Sequence, residues 1–241
     1  FNFLKSSRLL LIPALICGVG FGLWRCGSGG AATMNTGAAE KVYVKPGDHD
    51  EFYNIVSGGF SGQVSVYGLP SGRLFRVIPV FSSSSESGWG YSEETKPMLN
   101  TSHGPVPWDD THHIALSQTN GEHDGRWAFV NGNNTPRIAL IDLKTFRTAS
   151  IIEIPNSAGN HSSPFITPNS EYVVAGTRFS LPIGENKDVP ISTYKENFKG
   201  ALSFIKVAPD NGQLSVAFQL ITPGFDYDLS HSGKGPSDGW F

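Results

Sequence analysis

Between residues 52 and 220 one phrase is spoken three times: a short apolar run, then two alternating runs joined by a polar turn. The first copy is Phe52–Val56, then Gln63–Tyr67, the turn Leu69-Pro70-Ser71-Gly72, and Leu74–Val80. The second is Arg126–Val130, then Arg137–Asp142, a turn at Lys144-Thr145, and Thr148–Pro155. The third is Glu171–Ala175, then Ala201–Val207, the turn Pro209-Asp210-Asn211-Gly212, and Leu214–Leu220. Alternation with a period of two belongs to strands, and the turns carry Gly or Pro, except that Thr145-Phe146 departs from the Gly pattern. A strand followed by a hairpin, repeated every 45 to 75 residues or so, is the layout of propeller blades of about four strands. A β-sandwich also has short, evenly spaced strands, but repetition of the whole unit favours the propeller. The expected fold is therefore all-β, a partial β-propeller of about three blades, with Asp238-Gly239-Trp240-Phe241 opening a further strand. Three blades do not close a ring, and the chain starts on Phe1, so it reads as a fragment at both ends.

The first thirty residues have a different character. Lys5 and Arg8 precede an apolar run from Leu9 to Trp24, and Gly27-Ser28-Gly29-Gly30 follows. A basic start, a short apolar centre and a small-residue end make a secretory leader. The run is short for a membrane span and Pro13 interrupts it. There is no twin arginine, so export by the general secretory route is expected, with membrane attachment through the N-terminus left open. Cys26 stands before Gly-Ser-Gly-Gly as a lipidation site would, although Trp24-Arg25 is a poor cleavage context. The domain reading is thus residues 1–30 leader or anchor, 31–45 linker, and 46–241 propeller blades. A formal net charge of −3 offers no basic patch for nucleic acid. Both cysteines, Cys17 and Cys26, lie in the leader, so a metal site in the exported part must use His and carboxylate.

Asp110-Thr111-His112-His113 is where chemistry concentrates. Adjacent residues of a regular strand point to opposite faces, so His112 and His113 can share a centre only on a bend, at a strand end or in a bulge. Pro105 and Pro107 just upstream favour such a bend. The stretch Ser82 to Asp109, 28 residues with four consecutive serines and three prolines, leads into it. A loop of that length is usually functional or disordered. Leu181 to Lys199 is a second polar insertion. His161 precedes Pro164-Phe165-Ile166, the place one blade later that His112 and His113 hold ahead of Trp127. Residues at equivalent places in successive blades converge on the central channel, where three imidazoles can hold a soft or borderline cation. Asp110 then serves to orient a ligand ring. The alternative is a pair of solvated loop histidines, as His49, His103, His123 and His231 are read.

These residues resemble the periplasmic nitrous-oxide reductases from about Lys41 to Phe241. Asp110-Thr111-His112-His113, Gly125–Asn131 and Asn160-His161 carry the resemblance, and the Sec-like leader looks like the atypical branch of that family. It implies a seven-bladed propeller followed by a cupredoxin domain. It implies a sulfide-bridged four-copper cluster held by seven histidines, and a dinuclear copper centre in the cupredoxin. His112, His113 and His161 match three cluster ligands; Asp110 matches an acid beside the cluster, and Asp226 is matched to another. The implied reaction takes two electrons and two protons to convert nitrous oxide, N2O, to dinitrogen and water. A c-type cytochrome or cupredoxin donor and a head-to-tail homodimer are implied with it. The other four histidines, the cupredoxin and any calcium site are expected outside this stretch. Two other readings stay open: an exported propeller that binds a protein or glycan, and a propeller hydrolase using one hard cation.

Overall fold

The computed structural model describes residues 36–161, 164–182 and 189–221. The leader, Asp226, His231 and the strand expected at Asp238–Phe241 lie outside the described residues. Within the stretch read as a linker, Thr36–Val42 forms a short helix, α1. It belongs to a unit separate from Val44 onward.

From Val44 the chain is built of antiparallel sheets in sequential order. The strands β1 (Phe52–Ser57), β2 (Gln63–Leu69) and β3 (Leu74–Pro79) form the first, three-stranded sheet. The long connection that follows holds a 3-10 turn at Lys96–Leu99 and a small ladder of β4 (Asn100–Thr101) with β5 (Gly104–Pro105). Next come β6 (Thr111–Thr119), β7 (Glu122–Gly132), β8 (Arg137–Asp142) and β9 (Arg147–Glu153), paired in that order into a four-stranded meander. After β10 (Ser157–Gly159), a second meander is made by β11 (Phe165–Ile166), β12 (Tyr172–Gly176), β15 (Ala201–Val207) and β16 (Leu214–Ile221). Between β12 and β15 lies the second insertion. It contributes β13 (Phe179–Pro182), a helical turn α2 (Tyr194–Asn197) and β14 (Phe198–Lys199), with sheet order β10-β13-β14.

Burial explains why these sheets stack as blades. Along β2, Val64 and Val66 are fully buried while their neighbours are not, the alternation of a sheet covered on one face. The central meander is different: Trp127 to Gly132 and Arg137 to Ile141 are buried without a break. One of its faces, Ala128, Val130, Ala139 and Ile141, packs against Val64, Val66, Ile78 and Val80 of the first sheet. Its other face, Trp127, Phe129, Ile138 and Leu140, packs against Val173, Ala175, Ile205 and Val207 of the third. Covering both faces turns alternation into a continuous apolar run. Each fully buried Val, Leu or Ile contributes about 1.5–3 kcal/mol by leaving water. All-β architecture and blade-wise stacking follow, as the repeat predicts.

The hairpin turns obey one rule with one exception. Gly72 and Gly212 hold the left-handed position of their turns, at φ 70° and 69°. In the second hairpin Phe146 holds it instead, at φ 51°. A side chain there costs about 1–2 kcal/mol. Its ring packs against Phe75 at 5.2 Å and Tyr53 at 6.0 Å, both from the first sheet, which offsets that cost. The expected strands match to within a residue or two. The exception is Arg126–Val130, which begins earlier, so that His123 is an exposed strand residue rather than a loop residue.

The packing makes a simple prediction. Leu140→Ala, between two covered faces, should lower unfolding free energy in urea by about 2–5 kcal/mol. Leu74→Ala, on an exposed stretch of β3, should change it by no more than about 0.5 kcal/mol.

Candidate metal centre

The centre begins with a defect in a ladder. Thr111 pairs with Gly132 and Ile114 with Val130, so β6 advances three residues while β7 advances two. The extra residue is a bulge at His112-His113, the device that lets neighbouring side chains aim together. His161, just ahead of β11, brings a third ring to them. The ring centroids lie 4.5 Å apart for His112 and His113, 5.0 Å for His112 and His161, and 5.6 Å for His113 and His161. One nitrogen from each ring falls within 4.8 Å of the others, and all three residues are half-buried. Nitrogens around a single ion at about 2.0 Å stand roughly 3.3–3.5 Å apart. Donors held within 4.8 Å can be drawn onto one ion by small ring rotations or shared between neighbouring ions.

Asp110 stands beside this trio, buried. Its Oδ2 lies 3.4 Å from His112 Nδ1 and accepts the Asn133 carboxamide N–H at 2.9 Å. Its Oδ1 has no hydrogen-bond partner among the described residues. A carboxylate at Nδ1 favours the tautomer with that proton on Nδ1, leaving Nε2 free to bind a cation. Burial pushes the His112 imidazole below its ordinary value. Asp110 opposes this, while the nearby Arg178 guanidinium and the His161 ring add to it. A ring held neutral is the form that binds metal.

Behind the bulge is a buried polar knot that fixes where β6 starts. Asp109 is 0% exposed. Its Oδ1 accepts the N–H groups of Asp110 at 2.7 Å and Asn134 at 2.9 Å, and its Oδ2 accepts the N–H of Thr135 at 3.0 Å and that residue's hydroxyl. Arg137, also 0% exposed, places Nη2 3.7 Å from Asp109 Oδ2. The same guanidinium donates to Thr135 Oγ1 and to the carbonyls of Val106 and Trp108. The end of the long Ser82–Asp109 connection is thereby tied to the β7–β8 turn. A Cβ at Gly132 would come within 2.3 Å of Asp109 Oδ2, so only glycine fits there. From the first sheet, Gly59 and Thr111 exchange both backbone hydrogen bonds, and Trp108 Nε1 donates to the Phe60 carbonyl at 2.7 Å.

The structure thus brings together His112, His113, His161 and Asp110. His49, His103 and His123 are exposed and stand apart from the trio. Sequence reasoning missed Asn131, Asn133, Arg137 and Arg178. Asn133 is held from both sides: it donates to Asp110, and its Oδ1 accepts from Arg178 Nη1. A signal existed for two of the four. Asn131 closes the apolar run Trp-Ala-Phe-Val, and Arg137 opens Ile-Ala-Leu-Ile, so each is a polar residue spoiling a buried strand.

A buried pair of this kind is costly to break from one side. Arg137→Met should lower stability by about 3–5 kcal/mol because it leaves the Asp109 carboxylate buried without its cation. The double variant Asp109→Asn, Arg137→Met should lose less than the two single losses added together. Urea unfolding at the wild-type midpoint for Arg137→Met would contradict this.

No family model matches the chain. Known proteins with similar sequences include nitrous-oxide reductases. That of Cupriavidus necator is 41% identical over 219 residues, covering 85% of this chain and 33% of the relative. That of Pseudomonas fluorescens is 33% identical over 200 residues, covering 82% and 30%. That of Stutzerimonas stutzeri is 32% identical over 198 residues, covering 81% and 30%. Among solved structures, hydrazine synthase of Kuenenia stuttgartiensis is similar with a TM-score of 0.42 and 17% identity, over 70% of this chain and 34% of that one. A β-propeller domain from Myceliophteria thermophila has a TM-score of 0.40 and 12% identity, over 69% and 41%. The chain spans about a third of the length of the reductases it matches. Over that stretch it belongs with the nitrous-oxide reductases.

Proposed function

We propose that the chain supplies part of the copper centre of a nitrous-oxide reductase, with His112, His113 and His161 as ligands. The observation that carries this reading is the convergence of three imidazoles, from two segments 48 residues apart in sequence, on successive blades. The donor set fits copper. Three nitrogens, with no thiolate or carboxylate among the grouped donors, suit a soft or borderline ion. A hard ion such as calcium would call for six to eight oxygens. Among the described residues the grouped donors include no carboxylate, and Asp110 alone does not supply the oxygens the hydrolase reading needs.

Copper bound there would supply the electrons that the cleavage of the N–O bond consumes. The chain's own residues do the rest. The imidazoles are neutral ligands, so they leave the metal's charge for a weakly basic substrate such as N2O. Asp110 holds His112 by accepting a hydrogen bond from its Nδ1–H. The half-buried setting limits the water that could compete for the site. The overall reaction takes up two electrons and two protons and releases dinitrogen and water. An external c-type cytochrome or cupredoxin donor, a dinuclear copper centre to receive its electrons, and a head-to-tail homodimer go with this reading. So does a periplasmic location, supported by the basic-then-apolar leader. Asp226 remains a second candidate acid.

In the natural full-length protein, His161→Ala should lower copper content and reduce N2O turnover by at least about a hundredfold, since a ligand loss removes the site rather than tuning it. Turnover and copper content equal to wild type would overturn the reading. An exported propeller that binds a protein or glycan would then be the better account.

A further inference from the structure

The two histidine-bearing segments are joined by one side chain. Asn131, on β7, is 0% exposed and lies on the face that meets the third sheet. Its Oδ1 accepts the backbone N–H of His113 at 2.7 Å. Its Nδ2 donates to the backbone carbonyl of Asn160, the residue before His161. Both bonds are buried or nearly so, and both end on backbone, where they fix the position of the chain rather than one rotamer. Asn160 is itself fully buried, and its own carboxamide has no partner among the described residues. The tether to Asn131 therefore runs through the Asn160 carbonyl. An amide is the one small side chain that offers an acceptor on one side and a donor on the other.

We infer that Asn131 is a positioning residue that sets the distance between the His112-His113 bulge and His161. The inference rests on the copper reading for its consequence, though not for its geometry. Asn131 touches no reacting atom; it acts through the two backbones. Leucine has nearly the same shape and neither bond, so Asn131→Leu frees both segments. Aspartate keeps an acceptor for the His113 N–H but turns a carboxylate toward the Asn160 carbonyl, so Asn131→Asp should release only the His161 side. Partners of this kind are worth about 10- to 100-fold in metal affinity.

The test uses the full chain and copper(II) alone, counting coordinated imidazole nitrogens by pulsed electron paramagnetic resonance. The exchange rate of the His113 amide is measured on metal-free protein. Wild type should show three imidazoles and a protected His113 amide. Asn131→Leu should show two or fewer imidazoles, about 10- to 100-fold weaker copper binding, and a His113 amide exchanging at least about tenfold faster. Asn131→Asp should lose one imidazole while keeping that amide protected. It decides the matter should the leucine variant fail to fold. Leu140→Ala, which weakens the core elsewhere, should keep three imidazoles; an equal loss there would reduce Asn131 to a merely structural role and overturn the proposal. Three imidazoles and wild-type affinity in both Asn131 variants would overturn it as well. A wild type that takes up no copper through these rings would sink the copper reading instead. In that case fast His113 exchange in Asn131→Leu still upholds the clamp, and unchanged exchange overturns it.

Discussion

Everything about this site depends on one irregularity: two residues of β6, His112 and His113, opposite one of β7, Asn131. A regular pleat sends His112 and His113 to opposite sides of the sheet, one into each interblade core. An imidazole buried there without a partner would cost more than it returns. The bulge turns both rings out of the stack and toward the end of the next blade, where His161 waits. A bulge holds only if the groups it unpairs find other partners. Here the His113 N–H goes to Asn131, and Asn133 donates to the Asp110 carbonyl at 3.0 Å. The Asn131 side chain of β7 thus takes up the N–H that the bulge leaves unpaired, and the Asn133 backbone just past the end of β7 holds the chain ahead of it.

The buried charges have a similar role. Asp109 and Arg137 lie in the interior, where removing two ions from water costs several kcal/mol apiece and mutual attraction only partly repays it. The pair is poor evidence for stability in itself. Its value here is geometric, because the carboxylate collects four donors and the guanidinium three acceptors, and together they tie residues 106–110 to residues 134–137. Such a knot has few alternative arrangements, so it sets the point at which the long Ser82–Asp109 connection gives way to β6. The bulge starts three residues after Asp109, at His112. A shift of register there would carry both imidazoles out of reach of His161.

The fold was legible because its signal repeats. Three strand-and-hairpin units, with glycines at Gly72 and Gly212, name the architecture, and the ladder confirms them nearly residue by residue. The histidine cluster was legible for a different reason: two adjacent histidines are hard to place in a sheet unless a bulge is built for them. What stayed hidden is what holds the site. Asn131 and Arg137 belong to strands whose period-two pattern is lost, because both faces of the central meander are covered. With no alternation left, a polar residue in such a strand has no assigned face until the neighbouring sheets are in place. The helical turn and short strands within the Leu181–Lys199 insertion were unreadable too. Their order comes from β10 and β13 pairing across the chain, not from local propensity.

A cluster of three histidines on consecutive blades, beside a buried acid, is the geometry on which the proposed copper reading rests. The most direct test is a crystal of the copper-loaded protein with anomalous diffraction collected at the copper edge. The account predicts an anomalous peak bounded by His112, His113 and His161, with Asp110 off the metal and against the His112 ring. Copper bound elsewhere, or no peak among the three rings, would contradict it.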